Sequence, residues 1–490
     1  MPEKFGCLGG NRYIILALSL CFLSLNLATI ITYNATFVSM IHLQSSPYWK
    51  QYSENSSLSL EDVDWNSSDL PLTQRRFIFG TSHKIFGFAG GYLGSIAAVI
   101  PTSQLIRKFG CHKYMTISGA MATILVSLTP AVISWSFPWF VVLRVLQGFT
   151  LAPLFTVAGC VVNEWSTMEE RGLFIGVLSA HVEAAAVFVM PVSGAVAGTA
   201  GWPSVFYMVG LILGILTFLW GIYYRDRAES HPFVKEEEWK KISYGKKLGD
   251  IEKTQTPFRR ILASAVIWSV WLAVIGNFLV SQFAVAFAPI YLNKVLGLEP
   301  SEAGVLTLIP VACLLVVKFC AGFFSDRIKC VSELSKIRFF NTIALLGSAV
   351  FFIVLSISDP GDSMITDFIL LSIPMILLGF SSGGYSKCAI VVSGKYSPFV
   401  MAIVQIMACS SMMSGALIVP ALTPNDSLRE WQRVFIVYGL VLACANTVFV
   451  IFASAEPAKW THQVGDKSVM DSVMGAEKQG PQQTNRDSGF

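Results

Sequence analysis

The chain has 490 residues, 53% hydrophobic and only 13% charged, with a net charge of +4 and a mean hydropathy of +0.59. A soluble domain carries about a quarter charged residues, so the composition excludes an ordinary water-soluble globular protein and puts most of the chain in lipid. The basic residues sit at the ends of apolar runs, which excludes a nucleic-acid footprint, and the ten cysteines show no CxxC or CxxH spacing, which argues against a disulfide framework and leaves them as packing residues.

Apolar runs broken by short polar loops predict twelve membrane-spanning helices, at about 13–41, 77–101, 114–134, 138–163, 173–197, 203–224, 262–291, 302–325, 338–357, 366–393, 399–423 and 433–454. The expected class is an all-α membrane protein made of two pseudo-symmetric six-helix bundles, 13–224 and 262–454. Residues 1–12 form a short N-terminus without a trusted cleavage pattern, so the first helix is read as retained. The long polar loop 43–74 carries the glycosylation sequons Asn55-Ser-Ser and Asn66-Ser-Ser. Two further matches are weaker: Asn34-Ala-Thr lies inside the first helix and Asn425-Asp-Ser close to the membrane. A charged linker, 225–261, divides the chain, and the polar tail 455–490 is expected to be disordered.

Orientation follows from lysine and arginine placement. Arg107, Lys108, Lys113, the linker, Arg327, Lys329, Lys336 and Arg338 fall on one side, against chiefly Lys50, Arg75, Arg76, Lys294 and Arg429 on the other. The basic side is expected to be cytoplasmic, and an even number of spans puts both termini there.

The fourth span holds a single charged residue, Arg144, between Phe137 and Val162. A charge inside a span is costly by about 3 kcal/mol or more, so it faces a polar cavity or a partner, unless it lies near enough to the surface to snorkel. The fifth span carries His181 and Glu183, the eighth Lys318 and the tenth Lys387, beside Tyr385 in Gly383-Gly-Tyr-Ser-Lys-Cys388; Lys84 lies in the second. Cations outnumber the carboxylate, which favours a small anionic solute. Glu183 is a candidate proton carrier, because a dry site favours the neutral carboxyl, and it is equally a structural partner for Arg144. His181 is the rival carrier, or a packed histidine bonded to a carbonyl. The two are about 200° apart around a helix, so at most one faces a central cavity. Lys318 is expected to snorkel toward Asp326.

Several motifs resemble one branch of the major facilitator superfamily, that of the sodium/phosphate cotransporters, sialin and vesicular glutamate transporters. They are Arg144-Val-Leu-Gln-Gly148 running on to Trp165 and Glu170-Arg171, then Met190-Pro191 with Gly194, and Gly201-Trp-Pro-Ser-Val-Phe-Tyr207. His231-Pro-Phe233, Phe340-Asn-Thr342, Arg429-Glu-Trp-Gln-Arg-Val-Phe435 and Phe452-Ala-Ser-Ala-Glu456 with Trp460 extend the match from Tyr13 to Trp460. Gly322-Phe-Phe-Ser-Asp-Arg327 fits the superfamily's Gly-x-x-x-Asp-Arg pattern, and Leu105-Ile-Arg-Lys-Phe-Gly110 is its counterpart without the acid. The resemblance implies alternating-access transport of organic anions or phosphate coupled to protons or sodium. It also implies that Gly322, Asp326 and Arg327 belong to a conformational gate.

The departures fall where substrate chemistry would be. The family's coupling glutamate is replaced by Leu151, its first-helix arginine by Ile30 or Thr32, its seventh-helix arginine by Val280, and its tenth-helix acid by Val391. Arg144 alone survives. The expected protein is a secondary active carrier for a small organic or inorganic anion, with Arg144, Lys387 and Tyr385 touching substrate. It is expected to be monomeric, in the plasma membrane or a lysosomal or vesicular one, with no cofactor beyond transported H+ or Na+. The alternatives are an uncoupled facilitator or exchanger, and a transport-dead receptor or scaffold. An enzyme is not expected, since no Gly-x-Ser-x-Gly, His-Glu-x-x-His or phosphate-loop pattern is present.

Overall fold

The computed structural model describes residues 10–41, 71–73, 75–77, 81–244, 257–298, 300–328, 330–358, 364–423 and 427–462. It contains twelve long helices: α1 Asn11–Ile41, α2 Thr81–Phe109, α3 Cys111–Trp135, α4 Phe137–Trp165, α5 Arg171–Ala200, α6 Trp202–Tyr223, α7 Ala265–Asn293, α8 Pro300–Arg327, α9 Glu333–Ile357, α10 Met364–Ser393, α11 Ser397–Leu422 and α12 Leu428–Phe452. Among the described residues eleven are long and apolar enough to cross a membrane. The other, α2, has 29 residues and reaches about 44 Å. Its apolar character is diluted by Gly87 and Gly91, which face Tyr33 and Ile30 of α1, and by Gly90 and Gly94, where it packs closely on α4.

The packing repeats between the halves. In the first, α1 packs on α5 and α6, α2 on α4, and α3 on α6; in the second, α7 packs on α11 and α12, α8 on α10, and α9 on α12. The halves meet through the equivalent pairs α2–α11 and α5–α8, with the second part of α4, Leu154–Trp165, also against α11. The two-bundle expectation therefore holds. The symmetry extends to irregularities, since α4 turns at Ala152-Pro153 and α10 at Gly383-Gly384.

Lipid is as apolar as leucine, so helix association rests on close packing rather than on hydrophobic burial. Trp165, Trp202, Trp220, Trp271 and Trp431 are fully buried between helices, while Ile117, Leu211, Phe218 and Ile357 point outward where lipid would be. Many buried hydroxyls bond within their own helices, as where Thr32 Oγ1 donates to the Ala28 carbonyl and Thr36 Oγ1 to that of Thr32, both at 2.7 Å.

The linker follows α6 and defines one side of the molecule, called here the linker side. Its first part is tied to the first bundle. Asp226 Oδ1 accepts the His112 backbone N–H at the start of α3 (2.7 Å), and the Glu238 carboxylate accepts those of Asn11 and Arg12 at the start of α1 (3.2 and 3.0 Å). Carboxylates at helix N-termini satisfy otherwise unpaired donors and the helix dipole. Burial pushes the Asp226 carboxyl above the usual carboxylate range, against the opposing pull of the His112 N–H.

Some boundaries differ from expectation. Helix α9 begins at Glu333, five residues early, and α12 at Leu428, also five early. In both, charged residues that read as loop belong to a capped first turn. Ser332 accepts from the Ser335 N–H, and Ser427 with Glu430 forms a reciprocal capping box. Helix α2 runs eight residues beyond its expected end, through Arg107 and Lys108. Residues 455–462 fold back on the α10–α11 turn, where the Ala458 N–H donates to the Val392 carbonyl (3.0 Å) and Trp460 packs on Tyr396, so the expected disorder does not begin at 455. Asn55, Asn66, Asn425 and the tail from 463 lie outside the described residues.

Candidate functional site

Arg144 is the eighth residue of α4 and is wholly buried inside the first bundle. It does not snorkel. Its Nε donates to the Gly87 carbonyl of α2 at 2.9 Å and its Nη1 to Gln147 Oε1 at 3.0 Å, while Nη1 and Nη2 reach the Ile30 carbonyl of α1 only at 3.4 and 3.5 Å. The guanidinium stands 4.8 Å over the Tyr33 ring. Gln147 is held in turn by Thr129 Oγ1 at 3.0 Å. No carboxylate pairs with Arg144 among the described residues. Among the described residues its positive charge is therefore solvated by backbone and amide dipoles and by a ring face.

Two cavities lie on the central axis between the bundles. The far-side cavity is lined by Asn34, Tyr92, Leu151, His181, Gln282 and Gln405, among others, and the linker-side cavity by Ser179, Lys318, Tyr385 and Ser386 among apolar walls. Phe155 and Phe278 line both and meet edge to face, with ring centroids 5.7 Å apart, so that this pair is a wall common to the two cavities. Neither Arg144 nor Lys387 lines either cavity. Tyr92, next in the chain to Gly91 beside Arg144, lines the far-side one, where Asn34 Oδ1 and Gln405 Oε1 have no hydrogen-bond partner. Of the described charged side chains, Lys318 is the only one lining either of these two cavities.

Helix α5 breaks at Ala180, and just beyond it His181 and Glu183 point to different sides, as the helical angle requires. His181 faces the far-side cavity, its Nδ1 bonded to the Leu178 carbonyl at 2.7 Å and its ring 5.0 Å from Phe155. Glu183 does not meet Arg144. Its Oε2 accepts from Lys318 Nζ at 2.7 Å, across the α5–α8 interface, with both side chains 4% exposed. The expectation that Lys318 snorkels is thus corrected: it turns inward, because Glu183 offers a charge partner nearer than the membrane surface. Chain distance hid this pair, since 135 residues separate its members.

Toward the linker side the bundles are clamped. Asp326 Oδ2 accepts the Leu173 N–H at the start of α5 (2.9 Å), and Oδ1 pairs with Lys387 Nζ (3.2 Å). Lys387 also binds Ser325 Oγ (3.0 Å) and Glu333 (3.2 Å), and Glu333 pairs with Lys336. The structure thus brings Lys387 to Asp326, away from Tyr385 and the cavities. Gly322 lets α8 touch α5, because a Cβ there would stand 2.6 Å from the Gly172 carbonyl oxygen. Arg327 stacks on Phe323 at 4.9 Å. Asn163 of α4 reaches the Gly394 carbonyl of the other bundle (3.3 Å) and is held by Arg171 (2.8 Å). Glu333, Asn163 and Lys318 were not singled out from sequence as site residues. Only Lys318, an ionisable residue inside a span, carried a signal.

Comparison with known proteins gives a consistent result. The Major Facilitator Superfamily model matches residues 13–398. An uncharacterized transporter, slc-17.2, of Caenorhabditis elegans is 24% identical over 83% of this chain and 82% of its own. Sialin of Ovis aries is 25% identical over 75% of each chain, and vesicular glutamate transporter 2 of Homo sapiens is 25% identical over 75% of this chain and 64% of its own. Among solved structures, the proton:xylose symporter XylE superposes with a TM-score of 0.67 at 14% identity, over 90% of this chain and 96% of its own, which speaks to the fold alone. With twelve helices in two symmetric bundles, paired cavities on the axis between them and a family match over most of its length, the chain belongs to the major facilitator superfamily of membrane transporters.

Proposed function

We propose that this transporter is a secondary active carrier that moves a small anion by alternating access, coupled to protons or sodium. The observation that supports the anion is Arg144. Its buried charge has no carboxylate partner among the described residues, and its guanidinium lies beside Gly91, the chain neighbour of Tyr92 at the wall of the far-side cavity. A positive potential in a low-dielectric cavity attracts an anion and repels a cation. Tyr385 contacts the solute in the linker-side cavity, Glu183 carries the proton with His181 as the alternative, and Lys387 joins Gly322, Asp326 and Arg327 in the gate. The linker side is cytoplasmic, with both termini there and Asn55 and Asn66 glycosylated on the opposite face. The protein works as a monomer in the plasma membrane or a lysosomal or vesicular one.

A second reading has its own support. Leu151 replaces the family glutamate and lines the far-side cavity, which favours an uncoupled facilitator or exchanger. Reconstitution into proteoliposomes with imposed pH and sodium gradients and a panel of anions separates the two. Gradient-driven accumulation is expected; trans-stimulated exchange indifferent to both gradients selects the uncoupled carrier, and binding without flux would select a receptor.

A further inference from the structure

We propose that Lys318 is the seat for the carboxylate of a small monoanion with an apolar body, and that Glu183 yields it by taking up a proton. The inference deepens the transport reading above and rests on it. Lys318 Nζ carries three donors. One goes to Glu183 at 2.7 Å and a second reaches the Ser179 carbonyl at only 3.4 Å, while the side chain lines the linker-side cavity. Ser382 Oγ binds the Lys318 backbone carbonyl at 3.0 Å and fixes the residue's position on α8.

Alternating access must part α5 from α8 on the linker side, because Gly172, Gly176 and Gly322 hold them in contact there. Parting them breaks the Glu183–Lys318 pair, and two unpaired charges in a dry interface are strongly unfavourable. Exchange avoids both. A proton from solution bonds to a Glu183 oxygen, leaving a neutral carboxyl group, and the solute carboxylate replaces it on the ammonium. One proton and one monoanion enter together, so the site stays neutral throughout. Among the described residues, Tyr385 from α10 and His181 on its own helix also lie in electrostatic reach of Glu183, beside Lys318 from α8.

The walls set the class of solute. Ala158, Val162, Ile175, Ile390 and Met401 line the cavity together with the lysine, and Ser179, Ser386 and Tyr385 are its other polar residues. A doubly charged phosphate would face one cation and few donors, whereas a monocarboxylate needs one cation and places its body on the apolar wall.

The test uses the full chain in proteoliposomes with benzoate, its neutral analogue benzamide, and inorganic phosphate as probes. Wild-type protein should bind benzoate at least ~10-fold tighter near pH 5.5 than near pH 8, with uptake indifferent to membrane potential and no benzamide binding. Glu183→Gln should bind benzoate with the acid-pH affinity at both pH values. The double variant Glu183→Gln/Lys318→Met removes both charges together, keeps a wild-type melting profile, and should bind benzoate at least ~30-fold more weakly than Glu183→Gln alone. Equal benzoate affinity in those two variants overturns the seat, and phosphate binding as tightly as benzoate overturns the solute class. Benzoate carried without dependence on Lys318 defeats this inference alone, whereas a wild-type protein that binds no anion defeats the anion reading with it.

Discussion

Replacing Gly322 by alanine tests whether the α5–α8 contact is what closes the linker side. The added Cβ would lie 2.6 Å from the Gly172 oxygen and 3.2 Å from the Gly176 Cα, both rigid backbone atoms. Ordinary contact begins near about 3.4 Å, so the helices must separate by roughly 0.8 Å, and overpacking of this kind costs ~1–3 kcal/mol. That cost falls on the closed state, where the helices touch, and it is relieved when they part. At ~1.4 kcal/mol per factor of ten, the closed-to-open ratio should fall by ~5- to ~150-fold. The readout is the labelling rate of a Ser179→Cys thiol in the linker-side cavity by a membrane-impermeant maleimide, with the exposed Cys21, Cys320, Cys330 and Cys444 changed to serine. The rate should rise with Gly322→Ala while the melting temperature stays near the parent's. An unchanged rate would refute the idea that this glycine contact separates on opening.

Three further outcomes follow from the same geometry. Arg144→Lys keeps the charge but cannot reach Gly87, Ile30 and Gln147 at once, so anion uptake should fall by at least ~10-fold with a matching loss of affinity; uptake equal to wild type would make the guanidinium's forked bonding irrelevant. Glu430→Ala breaks the capping box of α12 and should cost ~1 kcal/mol, measured as a lower melting temperature without change in the affinity for transported solute. Asp226 has a folded pKa raised by burial, so the folded state holds its proton more tightly than the unfolded one, and stability declines as pH rises from the unfolded carboxylate value through the folded one. Asp226→Asn keeps an acceptor for the His112 N–H and should remove that decline from the melting temperature, measured between about pH 4 and pH 7; an unaltered slope would show that Asp226 is not its source.

The helices were legible because an apolar run of span length has few other outcomes, and the bilayer constraint makes each run independent of its neighbours. Charged first turns misled at α9 and α12, since Glu333 and Arg429 look like loop until their caps are known. The site was legible only as a set of odd residues. Arg144, Glu183, Lys318 and Lys387 stood out as charges within spans, but their partners could not be read. Glu183 chose Lys318 over Arg144, and Lys387 chose Asp326 over the cavity, because pairing depends on which helix faces bring the groups within about 3 Å. Hydropathy gives the length of a span but not its rotation.

The crossed rings of Phe155 and Phe278 divide the axis into two chambers. An aromatic edge offers no donor or acceptor from which a file of waters could continue, so hydronium and small ions find no bridge while the rings touch. Any solute that crosses must wedge the rings apart with its own bulk. In the proposed alternating cycle this ring pair would be the partition that parts for each solute and shuts behind it.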